Sequence, residues 1–142
     1  MSPTLILDTS VLIAGLRSSL GASFALLDLV GSGRFTIGLT TALVLEYEAT
    51  CMKSLAALNR TADDIKELLD YHCGVGKLAA IRFRVRPSAA DPDDDLVLEA
   101  AIATGSEWIV THNIRDMAAG AARYGIEVIT PGEALRRMEV EQ

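Results

Sequence analysis

The sequence has few of the residues on which several classes of functional site depend. It contains two cysteines and two histidines among 142 residues. Cys51 and Cys73 fall within helical patterns, and we expect both to be buried free thiols in a reducing compartment rather than a disulfide or a metal pair. His72 and His112 lack the spacing of metal ligands, which argues against zinc chemistry.

Other common signatures are absent as well. The segment Gly74–Lys77 lacks the spacing of a phosphate-binding loop and the strand that precedes one. No Gly-x-Ser-x-Gly elbow of a serine hydrolase occurs. The apolar stretch Thr4–Leu16 contains Asp8 and no basic leader, so it predicts neither a signal peptide nor a membrane span. Without linkers or repeats, we expect one domain over residues 1–142, in the cytoplasm and not in a membrane.

The net charge of the chain bears on whether it binds nucleic acid. The chain has 19 acidic and 13 basic residues and a net charge of −6, which disfavours broad attraction to a phosphate backbone. Carboxylates that bind a metal would raise the acidic count without covering the whole surface. The charge alone therefore does not decide against a nuclease.

Short apolar segments alternate with helical patterns along the whole chain. This alternation predicts an α/β fold, with a mostly parallel sheet of about five strands and helices on both faces. The predicted strands are Leu5–Leu7, Phe35–Gly38, Ile81–Val85, Trp108–Thr111 and Ile126–Ile129. The predicted helices are Val11–Leu16, Ser23–Val30, Thr41–Leu58, Thr61–Tyr71, Pro92–Thr104 and one that starts at Pro131.

Acidic and amide side chains lie where ligands bind in such sheets, outside the carboxyl ends of the strands. Asp8 ends the first strand, although it could be only the N-cap of the next helix. Asn113 follows the Trp108–Thr111 strand, and Asp116 lies one helical turn further on. A turn-forming Asn and a helix-capping Asp explain these two residues equally well.

The acidic run Asp91–Asp95 opens a predicted helix, where acids are favoured by the helix dipole. At roughly 100° per residue, Leu98 and Ala101 lie close in angle to Asp94. Asp94 is therefore predicted to face the core, where a carboxylate needs a cation or hydrogen bonds. The same angles predict Asp95 and Glu99 on the solvent side.

A further acid lies in the helical segment Leu43–Lys53. Its apolar positions are too widespread to choose between Glu46 and Glu48, and either could be a solvated glutamate. Repeated carboxylate ligands without a Cys/His set favour Mg²⁺ or Mn²⁺ over zinc.

Four ordered segments together resemble the PIN-domain family over essentially the full chain. They are Leu5–Ser10, Leu45–Glu48, Asp91–Ala101 and Trp108–Asp116. The resemblance is closest to bacterial toxin–antitoxin components of the VapC type.

The resemblance implies a three-layer α/β/α sandwich and cleavage of RNA with Mg²⁺ or Mn²⁺. It places the family's acids at Asp8, Glu46 and Asp94, and so selects Glu46 over Glu48. The fourth acidic position of the family is Asn113 here, so Asp116 is expected to supply that charge. Asp8, Asp94 and Asp116 would bind metal, Glu46 would orient or deprotonate a water, and Ser10 and Thr111 would hydrogen-bond the ligands. An antitoxin and a second copy of the chain are the expected protein partners.

Arg82, Arg84 and Arg86 alternate along the predicted strand Ile81–Val85 and just beyond it, so they share one face. An edge strand protected by charge explains them, and so does a track for the RNA backbone.

Two other functions remain open. One is a catalytically silent PIN-like module that binds RNA or protein. The other is a phosphatase of the haloacid dehalogenase type, which also begins with an Asp at the first strand end. That class has a second Asp two residues on, where this chain has Ser10.

Overall fold

The structure, a computed structural model, describes residues 2–80 and 92–140, with side chains at residues 2–80 and 95–139. In these parts, five strands form one parallel sheet in the order β3-β2-β1-β4-β5. The predicted α/β class is confirmed, and so is the α/β/α arrangement. The strands are β1 (Thr4–Leu7), β2 (Thr36–Leu39), β3 (Lys77–Leu78), β4 (Trp108–Val110) and β5 (Glu127–Ile129).

Helices connect the strands, and side-chain hydrogen bonds cap the start of two of them. The Thr40 hydroxyl accepts a hydrogen bond from the Leu43 N–H at 3.2 Å, and Thr61 and Asp64 form a capping box at the start of the next long helix. The helices are α1 (Thr9–Arg17), α2 (Ala22–Asp28), α3 (Thr41–Lys53), α4 (Leu55–Leu58), α5 (Ala62–Val75), α6 (Pro92–Thr104), α7 (Ile114–Ala122) and α8 (Pro131–Val140).

The core is built around β1, the central strand. Leu5, Ile6 and Leu7 are buried, because β2 and β4 flank the strand and helices cover it. An apolar run without alternation is typical of such a strand. The carboxyl end of β1 therefore lies at the middle of the sheet, where residues from neighbouring strands and helices converge.

Three local predictions were wrong. The helix expected over Thr41–Leu58 is divided at Ser54, whose backbone leaves the helical region and whose N–H bonds to the Cys51 carbonyl. The short strand β3 was not predicted, because two residues carry no periodicity. Cys73 is exposed rather than buried, although Cys51 is buried and both thiols are free.

The predicted strand Ile81–Val85, with Arg82, Arg84 and Arg86, lies outside the described residues. Within the described ranges, no single helix is long and apolar enough to cross a membrane. Helices α1 and α2 are long and apolar enough for a span only when taken together, and the two are bent by 96° relative to each other.

Candidate active site

Asp8 is held at the carboxyl end of the central strand by the hydrogen bonds of the sheet. Its N–H donates to the Val110 carbonyl at 2.9 Å, one residue beyond the end of β1. Thr111 is held in the same way, since its N–H donates to the Ile129 carbonyl at 2.9 Å. The two residues therefore lie side by side at the edge of the sheet, as the parallel topology predicts.

The Asp8 carboxylate is oriented by two hydroxyl groups. Oδ2 accepts hydrogen bonds from Ser10 Oγ at 2.8 Å and from Thr111 Oγ1 at 2.7 Å. Asp8 occupies the N-cap position of α1, yet its side chain makes no capping hydrogen bond. Among the described residues no donor reaches Oδ1. The capping explanation of Asp8 is therefore wrong, and the carboxylate is fixed with one oxygen left over.

A chain of hydrogen bonds extends from this carboxylate into the segment after β4. Thr111 Oγ1 accepts from the Asn113 N–H at 3.0 Å, and Ser10 Oγ contacts the His112 N–H at 3.5 Å. Asn113 is exposed and precedes α7 without capping it through its side chain. Asp116 is exposed in the first turn of α7. The structure thus brings Asn113 next to Asp8 through Thr111, and Asp116 lies about one helical turn further along the chain in α7.

Helix α3 is attached to the same strand end. The Tyr47 hydroxyl donates to the Leu7 carbonyl. Burial, and then the negative charge of Asp8, raise the pKa of Tyr47, so the phenol stays protonated and keeps donating. On the same helix Glu46 is half-buried and accepts from Thr50 Oγ1 at 3.0 Å, while Glu48 is exposed. Burial therefore distinguishes two residues that periodicity did not.

The predicted orientation of two acids in α6 was wrong. Asp95 and Glu99 were expected to face solvent, but their exposures are 4% and 2%. The reason is that α6 packs against β1, β2 and β4 on one side and also against α3 and α7. A helix covered on several sides buries more than one stripe.

These two buried carboxylates were missed as candidate site residues. The signal was available in the sequence, because residues 96–103 are apolar except for Glu99, and a helix that is apolar all round is a buried helix. The side chain of Asp94 lies outside the described residues, so its predicted core-facing position remains a prediction.

The oxygen atoms available around Asp8 are of the kind that bind a hard divalent cation. Asp8 Oδ1 receives no hydrogen bond from the described residues and is available to a ligand, and carboxylate and amide oxygens are typical ligands of Mg²⁺. Among described side chains, no group of three His, Cys, Asp or Glu residues lies close enough together to hold a metal. A complete site at Asp8 therefore needs a ligand beyond these side chains, and Asp94 is the predicted one.

Comparisons with known proteins identify the family and the fold. A model of the PIN domain matches residues 4–115. The chain is also similar to a chain in the crystal structure of VapBC2 from Rickettsia felis bound to a DNA fragment from their promoter. The TM-score is 0.58 at 15% sequence identity, covering 88% of this chain and 96% of that chain. At this identity the likeness concerns the fold. A search of curated proteins found no match.

Proposed function

Because the chain belongs to the PIN-domain family, we propose that it is a Mg²⁺- or Mn²⁺-dependent endoribonuclease that hydrolyses phosphodiester bonds in RNA. The observation that carries the proposal is the Asp8 carboxylate. Two hydroxyls fix it through one oxygen at the middle of the sheet edge, and its second oxygen is left for a ligand.

Asp8, Asp94 and Asp116 are the proposed metal ligands, with Asn113 contributing a neutral oxygen. A divalent cation bound there would neutralise a phosphate oxygen and lower the pKa of a bound water. Ser10 and Thr111 keep the Asp8 carboxylate in one orientation, so that its free oxygen needs no rearrangement to bind the cation.

Glu46 is the proposed group that orients the attacking water and takes its proton. The Thr50 hydroxyl donates to Oε1, which restrains the side chain. Tyr47 stays neutral and anchors α3 to the strand that carries Asp8. This anchor sets the position of Glu46 relative to the strand end, and a correctly placed base contributes about 10²–10⁴-fold to rate.

The test is hydrolysis of an end-labelled unstructured RNA in Mg²⁺ or Mn²⁺, with chelator as the metal-free arm. We expect Asp8→Asn, Asp94→Asn and Glu46→Gln each to reduce the rate by about 10² or more. Glu48→Gln is the matched control, since Glu48 is exposed on the same helix, and it should cut at the wild-type rate. The same assay with single-stranded DNA measures the preference for RNA.

Three outcomes would overturn the assignment. Cleavage that survives both chelator and Asp8→Asn would exclude the proposed site. Full activity of Asp94→Asn together with an inactive Asp95→Asn would transfer the role to the neighbouring buried acid. RNA binding without cleavage under all metal conditions would leave a silent binding module.

We further propose that the chain is the toxin of a toxin–antitoxin pair, with a small antitoxin protein as partner. The similarity to a chain of the VapBC2 complex supports this. Expression of the chain alone should stop bacterial growth, whereas expression of Asp8→Asn should not. Co-expression with the product of a small neighbouring reading frame should restore growth, and light scattering would show whether the chain pairs with that product or with a second copy. If cells that express the unaltered chain grow as fast as cells that do not express it, the toxin role is contradicted.

A further inference from the structure

A cleft of about 420 Å³ is lined in part by His112, in the segment after β4 that follows Thr111. It lies between the end of α1, the turn into α2, the segment after β4 and the start of α8. In its wall, Ser23 Oγ and His112 Nε2 are 2.8 Å apart. The His112 N–H contacts Ser10 Oγ, which donates to Asp8. His112, which lines the cleft, is therefore linked to the candidate metal ligand Asp8 through one residue, Ser10.

The charge of this cleft differs from that of the rest of the surface. Arg17 lines it, and within the described parts of the chain no carboxylate does. A second cleft, between α2 and α8, includes Asp28 and Glu139 beside Arg34, and a third, beside α5, includes Asp64 and Glu67 beside Arg60. In a chain with a net charge of −6, a cleft with an arginine and no acid is a local site for an anion.

The lining also offers apolar contact. Ala14 and Pro131 contribute apolar walls, and Leu20 is 83% exposed in the turn between α1 and α2. The volume lies within the range of roughly 300–1,000 Å³ that is typical of small-molecule sites. An apolar wall beside one cation suits a ligand that has a flat apolar face and a negative charge.

We propose that this cleft is a nucleotide subsite that holds the RNA residue next to the scissile phosphate. The base contacts Leu20 and Pro131, the adjoining phosphate pairs with Arg17, and Ser23 and His112 provide hydrogen-bonding groups at the wall. The proposal rests on RNA being the substrate. A base can enter such a cleft only when it is unpaired, so the subsite also favours single-stranded RNA.

Gly132 provides a way to fill the cleft. It lines the cleft in the first turn of α8, has no left-handed φ, and a Cβ added there would meet nothing within 4 Å. Gly132→Leu should therefore fold, and its side chain adds bulk at the lining of the cleft. Gly74→Leu is the matched control, because Gly74 is also helical, has the same free space and lies outside this cleft.

The readout is fluorescence anisotropy of a short labelled RNA in excess chelator, where the proposed activity is silent. We expect Gly132→Leu to raise the Kd about tenfold through loss of apolar contact with the base, and Gly74→Leu to leave it unchanged. Arg17→Ala should raise the Kd and reduce the slope of log K against log salt by about 0.7, the contribution of one phosphate contact to a single strand. Arg123→Ala, which removes an exposed charge away from this cleft, should change the slope less.

The subsite and the proposed function can fail separately. Binding that depends on Gly132 and Arg17, without hydrolysis in Mg²⁺ or Mn²⁺, would refute the nuclease and keep the subsite. Hydrolysis by the wild type with equal Kd values in Gly132→Leu, Arg17→Ala and their controls would refute the subsite alone. Undetectable RNA binding by the wild-type chain would also refute it. Arg17 is exposed, so the Arg17→Ala result stands even if Gly132→Leu misfolds.

Discussion

Two polar clusters in the sheet region contain similar hydroxyl groups but differ in how completely they are hydrogen-bonded. The open cluster, defined as Asp8, Ser10 and Thr111, contains a carboxylate with one oxygen that no described donor reaches. The closed cluster, defined as Lys77, Thr104 and Ser106, lies where α6 turns back towards β4 and contains no carboxylate.

In the closed cluster each polar group has a partner. Thr104 Oγ1 donates to the Ala100 carbonyl at 2.8 Å and lies 2.6 Å from Ser106 Oγ. Lys77 Nζ donates to the Thr104 carbonyl at 2.7 Å. The cluster also fills its space, because a Cβ on Gly38 would be 2.5 Å from Thr104 Oγ1. A saturated, tightly packed cluster stabilises the fold, whereas a cluster with an open oxygen is suited to bind something.

The largest expected effect is on the rate of RNA hydrolysis, when the residues proposed to complete the open cluster are changed. Asp116→Ala should reduce hydrolysis by orders of magnitude, because it removes the charge that Asn113 does not supply. Asn113→Ala should cost less and mainly raise the metal concentration required. Cleavage rate against Mg²⁺ concentration measures both. Wild-type behaviour of Asp116→Ala would show that Asp116 only favours the start of α7, and that the open cluster is completed elsewhere.

The next prediction compares one threonine from each cluster. Thr111→Val removes a donor to Asp8 Oδ2, so we expect the metal requirement to rise about 10–100-fold. Thr104→Val should instead lower the free energy of unfolding by about 1–3 kcal/mol, since it leaves Ser106 with a lost partner. Metal titration and urea unfolding of both variants separate the two effects. An unchanged metal requirement in Thr111→Val would remove the distinction between the clusters.

A third prediction tests the packing of the closed cluster. Gly38→Ala should lower the free energy of unfolding by about 1–3 kcal/mol, because its methyl group would crowd Thr104 Oγ1 and the Ile6 side chain. Gly74→Ala, with open space in α5, should instead raise it by up to about 1 kcal/mol. Urea unfolding measures both changes. Equal stabilities would mean that the closed cluster relaxes without cost.

The smallest expected effect is on the metal-free protein. Removing one carboxylate from the proposed metal site relieves the repulsion expected between its acids, so Asp8→Asn and Asp94→Asn should each raise the melting temperature without metal by a few degrees. The same variants should gain less from added Mg²⁺, because the stabilisation by a ligand follows its affinity. Thermal melts with and without Mg²⁺ provide the measurement. A lower melting temperature of either variant in chelator would give that residue a structural role.

Most of the fold could be predicted because its signals are local. Apolar runs mark the parallel strands, the capping box at Thr61 starts α5, and the helix over Pro92–Thr104 begins and ends as predicted. The place of Asp8 at the sheet edge also follows from sequence, since the carboxyl ends of parallel strands share one edge. Each of these rests on residues within a few positions of one another.

The tertiary structure alone decided the burial of two acids and the geometry of the site, because both depend on segments that are far apart in sequence. The burial of Asp95 and Glu99 results from α3 and α7, which cover a face of α6 that helical angles assign to solvent. The cleft combines Arg17, Ser23, His112 and Gly132 from four segments, and the hydroxyl of Thr111 reaches Asp8 across two neighbouring strands. Periodicity describes how a helix or strand is patterned, but not which neighbours pack against it, and burial and site geometry are set by those neighbours.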